Sequence, residues 1–498
     1  MQLASTTSGE PAAPVRRPEL RAVTDRPAVP GIIAFLAALA AIEGRLVLLA
    51  HRDITDLLRI GTVYGHPGQV PRGVAVFPGS TGYDGQFYYR LALDPANLHT
   101  TAFGITMDAP YRFMRIGYSA LAWLLSLGQH AAVPYVLVAI NVAALAALGD
   151  LGGLLARQAG RHALWGLLLP GYFGLMDSLA RDLTEPLGAL CLIAGILAYR
   201  KRHPLLAAAA FGYGALTRET VLVVPAVLGI VRIIQIARRR DRPGADDLAW
   251  LIPAAVFAGW ELVLKAATGV FPILSDGGKN AGTPLSAAFA AVAQNFAHPN
   301  TPVPGAPGAV IIWDVEFVVL MLFALAALVS LRATTIGVYE RAAFAAYVVV
   351  IFCLAPTNWD GYADLRAFVE VYLMAVLVLL AAPRWRPAWL GALAAGAAPL
   401  VILVALYRTL IWLRGPLVPG PPAPGTPASG AAVPGPTAWA GRTGKRSPRS
   451  RPSRSARPTR AGRAAGSASI PAPCRARCGR SAPGPRTWRA PRRRAAIR

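Results

Sequence analysis

Runs of about twenty apolar residues set between charged clusters constrain this chain more than any other feature. Gly31–Ala50, Ala132–Leu155, Leu248–Ala267 and Ala309–Leu331 each have the length that a helix needs to cross a hydrocarbon core. Only 15% of side chains are charged and mean hydropathy is +0.44, whereas a soluble domain carries about 25% charge. The expectation is an all-α, multi-pass transmembrane bundle of about 10–11 helices, which excludes most soluble enzymes. The first run is long and lacks an A-x-A exit, so it reads as a retained helix rather than a cleaved signal peptide.

Basic residues give the bundle a direction. Residues 1–30 hold Arg16, Arg17, Arg21 and Arg26 and form an N-terminal tail expected in the cytoplasm. The multi-pass domain covers residues 31–415, with a long first external loop at 51–131 that carries juxtamembrane helices. Arg157/Arg161, Arg200-Lys201-Arg202 and Arg238-Arg239-Arg240 mark cytoplasmic turns. An even number of passes must therefore lie within 164–199 and again within 204–236. Two short helices fit each stretch, with external apices at Asp177–Glu185 and Thr217–Thr220. Each half is shorter than the ~20 residues of a full span, so the apices are placed below the outer surface, lining a polar cavity. A Gly/Pro/Asn-rich external loop at 269–308 and further helices at Ala342–Ala355 and Ala367–Ala382 complete the pattern, before a last apolar run at Ala388–Leu413. Eleven passes would leave the Arg-rich C-terminus outside, against the positive-inside rule.

That C-terminus accounts for the extreme charge. Residues 421–498 hold 18 of the 50 basic residues and no acid, so the net +25 falls to +7 over residues 1–420. From Pro416 the chain is almost only Ala, Gly, Pro, Arg, Ser and Thr without amphipathic period, and 416–498 is expected to be a disordered tail. No nucleic-acid partner is expected from it. Only four Lys stand against 46 Arg, which with abundant Ala, Gly and Pro suggests a GC-rich bacterial genome. Cys191 and Cys353 lie in apolar runs and read as core residues, while Cys474 and Cys478 have no common zinc spacing.

Several polar clusters could carry chemistry. The first loop contains Tyr83-Asp84-Gly85-Gln86-Phe87-Tyr88-Tyr89-Arg90, in which Gly85 permits a close approach and the aromatics could lie at the membrane interface or stack on a sugar. Asp84 has two readings, helix N-cap or reactive carboxylate. Asp108 precedes Arg112 and Arg115, which share a helix face at i, i+3 and suit either interfacial anchoring or phosphate binding; Ile116–Leu127 reads as an external amphipathic helix. Arg181-Asp182-Leu183-Thr184-Glu185-Pro186 places two acids at i, i+3, with a self-satisfied Arg181–Asp182/Glu185 network as the bland alternative. Arg218-Glu219 repeats the pattern, and Asp360, Asp364 and Arg366 form a third cluster on the same side. Ionisable groups at the edge of lipid are costly and point to function.

These motifs resemble those of the GT-C superfamily of integral membrane glycosyltransferases, and in particular its bacterial members associated with cell-surface glycopolymer formation. The resemblance covers roughly residues 31–380. It implies transfer of a sugar from a polyprenyl-phosphate donor to a glycan or glycolipid acceptor at the external face of the bacterial cytoplasmic membrane, with inversion. It assigns Asp84 as base, Asp182 and Glu185 as orienting acids, and Arg112, Arg181, Arg218 and Arg366 as groups that offset phosphate charge; Tyr83, Gln86, Tyr88, Arg115 and Glu219 complete the substrate-binding set. The family's first-loop acidic pair is reduced here to one Asp beside Gly85, so no metal or other cofactor is expected. A transporter or flippase for lipid-linked sugars and a non-catalytic scaffold of envelope assembly are the competing expectations. The partners are the lipid-linked donor, the acceptor and membrane lipids.

Overall fold

The computed structural model describes residues 24–275, 282–298, 309–359 and 365–383. The expectations for the last apolar run, the tail, Asp360 and Asp364 lie outside these residues. The described chain is mostly helical. The first half supplies α1 (Ala28–Leu48), α2 (Gly85–Leu93), α3 (Ile116–Leu125), α4 (Val133–Gln158), α5 (Phe173–Leu179), α6 (Glu185–Arg200) and α7 (Pro204–Thr217). The second half supplies α8 (Val223–Ala237), α9 (Leu248–Thr268), α10 (Pro272–Ser275), α11 (Ser286–Ala297), α12 (Ala309–Ser330), α13 (Val338–Phe352) and α14 (Val369–Leu380).

Among the described residues five helices are long and apolar enough to cross a membrane: Ala28–Leu48, His130–Gln158, Glu219–Ala237, Ala245–Thr268 and Trp313–Ser330. Their side chains facing away from the core are large and apolar, as at Leu36, Ile230, Leu262 and Val329. That is the reverse of a water-soluble surface. α6, α7, α13 and α14 are apolar but only 16, 14, 15 and 12 residues long.

Packing follows from small residues and from one central helix. α1 lies on α4, where a Cβ at Gly149 or Gly153 would stand 2.7 Å or 2.3 Å from the carbonyl oxygens of Pro30 and Pro27. Small residues allow such backbone approach between apolar helices. α6 packs on α7, α7 on α9, α8 on α13 and α12 on α14. Every residue of α14 is buried, so its one acid, Glu370, must be compensated inside the protein.

The expected short helices within 164–199 are only partly present. A 3-10 turn, Ala163–Leu168, and the seven-residue α5 replace the first, and α6 forms the second. The 269–308 stretch holds a helix, α11, which the sequence pattern did not suggest. The 51–131 segment contains α2, α3 and two pairs of two-residue strands: Ile60–Gly61 pairs parallel with Val76–Phe77, and Thr101–Ala102 antiparallel with Ile105–Thr106. α3 buries Ile116, Tyr118, Ser119 and Ala122 while Trp123, Leu124 and Leu125 stay exposed, in keeping with a one-sided helix.

Phe87, Tyr88 and Tyr89 correct one expectation. α2 is buried on all sides by α3 and its neighbours, so these aromatics are core and none faces an interface or an open sugar site.

Candidate ionic site at one end of the bundle

Four segments converge where their helices begin or break. Pro186 sits in the first turn of α6 and fixes its start, with Glu185 as the first helical residue. Proline is preorganised for this position and a carboxylate suits a helix N-terminus. α7 ends at Thr217, Arg218 adopts extended backbone, and a 3-10 turn resumes at Glu219. That single extended residue turns the Arg218 side chain towards α6 and α14. Arg366 lies in a 3-10 turn just before α14. Asp84 immediately precedes α2.

Gly85 brings the last of these and the stretch leading into the first together. A Cβ there would stand 2.4 Å from the Arg181 carbonyl oxygen and 3.0 Å from that of Leu58. The close approach anticipated at Gly85 is thus made by the Arg181–Asp182 loop.

The side chains form an alternating string of carboxylates and guanidiniums. Arg112 donates to both Asp108 oxygens, at 2.8 and 2.9 Å, and meets Asp84 Oδ1 at 2.7 Å. Asp84 Oδ2 accepts from Arg366 at 2.6 Å. Arg366 also donates to Glu185 Oε1 and, at 3.1 Å, to the Tyr83 hydroxyl. Glu185 Oε1 accepts from Arg218 at 2.5 Å, and Arg218 Nε donates to Glu370 Oε1 at 2.7 Å. The Thr220 hydroxyl donates to the same Glu370 oxygen at 2.5 Å. Beside the string, Arg115 makes a two-pronged contact to Glu219 at 2.9 and 2.6 Å and donates to the Tyr88 hydroxyl at 3.2 Å.

The carboxylates of the first loop are more exposed than the groups at the other end of the string. Side-chain exposure is 22% at Asp108 and 16% at Asp84, then 4% at Arg218 and 0% at Glu185. The Asp108–Asp84 end keeps partial solvent access and the Glu185–Arg218 end is sealed. Burial alone would raise the Asp84 carboxyl, but Arg112 and Arg366 outweigh it and hold the group well below the usual carboxylate range. Asp84 is therefore ionised and, while both arginines stay, a weak base.

Several expected roles change. Asp84 makes no side-chain cap bond at α2, because its oxygens are taken by arginines. Asp182 does not share a face with Glu185: it lies outside the helix with a left-handed φ of 51°. It is fully buried, and both its carboxylate oxygens lack hydrogen-bond partners, so burial pushes its carboxyl up. Arg181 pairs with Asp177 at 3.3 Å and lies over the Tyr83 ring, which replaces the expected Arg181–Asp182/Glu185 network. Gln86 is structural: its amide oxygen accepts from Gly61 N–H at 3.2 Å and its nitrogen donates to the Thr81 carbonyl at 2.9 Å.

The structure adds Glu370, Asp108 and Thr220 to the site. An isolated acid opening a 12-residue apolar helix was the available signal for Glu370, and the i, i+4 spacing to Arg112 the signal for Asp108. Glu43 is exposed, while Arg45 donates to Asp56 at 3.3 Å. Among the described residues no group of three or more His, Cys, Asp or Glu is placed to hold a metal ion. No family model and no curated protein matches the chain.

Proposed function

We propose that the protein is an integral membrane glycosyltransferase of GT-C type, moving a sugar from a polyprenyl-phosphate donor to a glycan or glycolipid acceptor. The supporting observation is the string from Asp108 to Glu370, partly exposed at Asp84 and sealed at Arg218, at one end of an apolar helical bundle. In this reading the shorter helices α6, α7, α13 and α14 also cross, giving about 10–11 passes. The basic turns face the cytoplasm and the ionic site lies on the other side.

The chemistry follows from the exchange of partners. A donor phosphate arriving at Asp84 competes for Arg112 and Arg366, whose planar guanidiniums suit phosphate oxygens. As they turn to the phosphate, Asp84 loses its two compensating charges and its proton affinity rises. The acceptor hydroxyl oxygen then bonds to the anomeric carbon from the face opposite the phosphate. The carbon–phosphate oxygen bond breaks, polyprenyl phosphate leaves with that electron pair, and Asp84 takes the hydroxyl proton. Glu185, Arg218 and Glu370 hold Arg366 in register from the buried side.

One observation favours a second reading. Each arginine in the string already faces at least one carboxylate, as a purely structural clasp in a non-catalytic scaffold would require. Incubating the purified protein with a panel of polyprenyl-phosphate sugars and glycan acceptors separates the two. Transfer with release of polyprenyl phosphate supports the enzyme; no turnover with any donor supports the clasp.

A further inference from the structure

Asp182 is a buried acid outside the string. It lies in the loop between α5 and α6 with no exposed surface. Its backbone is left-handed, at a φ of 51°, a conformation that persists only where the surroundings hold it. Among the described residues neither carboxyl oxygen has a hydrogen-bond partner. A carboxylate so placed has lost its water and gained no donor in exchange.

The groups that face it are engaged elsewhere. Arg45 of α1 is the cation that acts on Asp182, and it donates to Asp56 at 3.3 Å. Arg59, Asp177 and Arg181 stand around Arg45. Arg59 also turns to Asp56, at 3.6 Å, and Arg181 to Asp177, at 3.3 Å. From α3 comes the Tyr118 hydroxyl, which donates to the Leu137 carbonyl at 2.9 Å. Glu185 of α6 also faces Tyr118 but is held by Arg218 and Arg366.

The neighbouring side chains are short of donors. Thr184 Oγ1 and Asn141 Oδ1 are buried without partners. The Asn141 amide nitrogen already donates to the Tyr118 hydroxyl at 2.9 Å and to the Leu183 carbonyl at 3.0 Å. A proton on Asp182 removes the buried charge and adds a donor where acceptors are in excess. Burial raises the Asp182 carboxyl in the same direction.

We propose that Asp182 keeps its proton in the folded protein at neutral pH and serves as an alkaline switch on the ionic site. When the proton passes to solvent, the carboxylate draws Arg45 from Asp56 and the 181–184 loop shifts. That loop begins with the Arg181 carbonyl, against which Gly85 packs at the start of α2, so the shift reaches Asp84. The device does not depend on sugar transfer. A carboxyl that holds its proton more tightly folded than unfolded contributes stability below the unfolded value, about 3.9. It loses that contribution as pH rises towards the folded value.

The test compares the full chain in detergent with Asp182→Asn, which keeps the shape, suits a left-handed backbone and cannot ionise. The infrared spectrum of wild type minus variant at neutral pH should contain the carbonyl stretch of a protonated carboxyl group. That band should vanish as pH rises towards about 10, where tyrosines ionise in turn. Arg45→Gln should move its loss to higher pH, because the cation that favours ionisation is gone. The unfolding equilibrium of wild type should worsen relative to Asp182→Asn by about tenfold per pH unit above about pH 4, until the band is lost. Beyond that point, backbone hydrogen exchange over residues 177–184 should be faster in wild type than in Asp182→Asn at the same pH, by a larger factor than over α4. No band at neutral pH, or a stability gap that does not change with pH, overturns the protonated state. A band that survives to about pH 10, an unmoved band in Arg45→Gln, or equal exchange factors in the loop and α4 overturns the switch.

Discussion

The Arg366 guanidinium meets the Asp84 carboxylate at 2.6 Å, joining segments 282 positions apart in sequence. Arg366 carries the connection on to Glu185, and through Arg218 it reaches Glu370 on the fully buried α14. The string ties the 51–131 segment to the helical bundle, so its removal should be felt in stability as well as in chemistry.

Asp84 sets an acid limb. Its carboxyl is held low in the folded state by Arg112 and Arg366, so its contribution is fully present above the ordinary value of about 3.9. It is lost as pH falls through the lower folded value. Thermal unfolding of wild type and Asp84→Asn in detergent should differ by a constant amount from pH 5 to 7, and the difference should shrink below about pH 4. A gap that stays constant down to pH 2 would exclude this account of the pair.

Gly85→Ala probes the contact between α2 and the Arg181–Asp182 loop. The added methyl must displace the Arg181 carbonyl, 2.4 Å away, and overpacking of this kind costs about 1–3 kcal/mol. The melting temperature should fall, and sugar transfer should fall with it because Asp84 and Arg366 lose register. A fully stable, fully active Gly85→Ala protein would show that the approach is not needed.

Arg218 is the buried link. Arg218→Ala strands Glu370 without its cation while Glu185 keeps Arg366, and breaking such a buried pair costs about 3–5 kcal/mol. Arg218→Lys should recover only part, because one ammonium cannot reproduce a planar fork that reaches two carboxylates. Equal stability of the Ala and Lys variants would mean that the two-sided geometry contributes nothing.

Orientation is tested by labelling with a membrane-impermeant thiol reagent in a background free of native cysteines. Gln69→Cys, on the exposed part of the 51–131 segment, should label from outside intact cells, and Lys201→Cys should not. The reverse pattern would invert the proposed topology.

The long helices were legible because burial in lipid leaves an unbroken apolar run. The expected Gly31–Ala50 and Leu248–Ala267 fall within two or three residues of the observed ends. α11 was not, because its Ala-rich sequence is embedded between Gly/Pro/Asn-rich stretches and lacks a strong period. Asp84, Glu185, Arg218 and Arg366 were singled out as charged residues beside apolar runs and do come together. Their pairing was not legible: partners 282, 152 and 33 positions apart are chosen by helix packing, which local spacing does not encode. The i, i+3 reading of Asp182 and Glu185 failed because it assumed helix where the backbone is left-handed.

The central claim is that Asp84 accepts a proton once a donor phosphate draws Arg112 and Arg366 away. The most direct measurement is the single-turnover rate of sugar transfer by purified wild type and Asp84→Asn, each checked for fold by its unfolding transition. Loss of a general base predicts a rate about 10²–10⁴-fold lower in the variant, with polyprenyl-phosphate donor still bound. Transfer at the wild-type rate by a folded Asp84→Asn protein would contradict the claim and leave the string as a structural clasp.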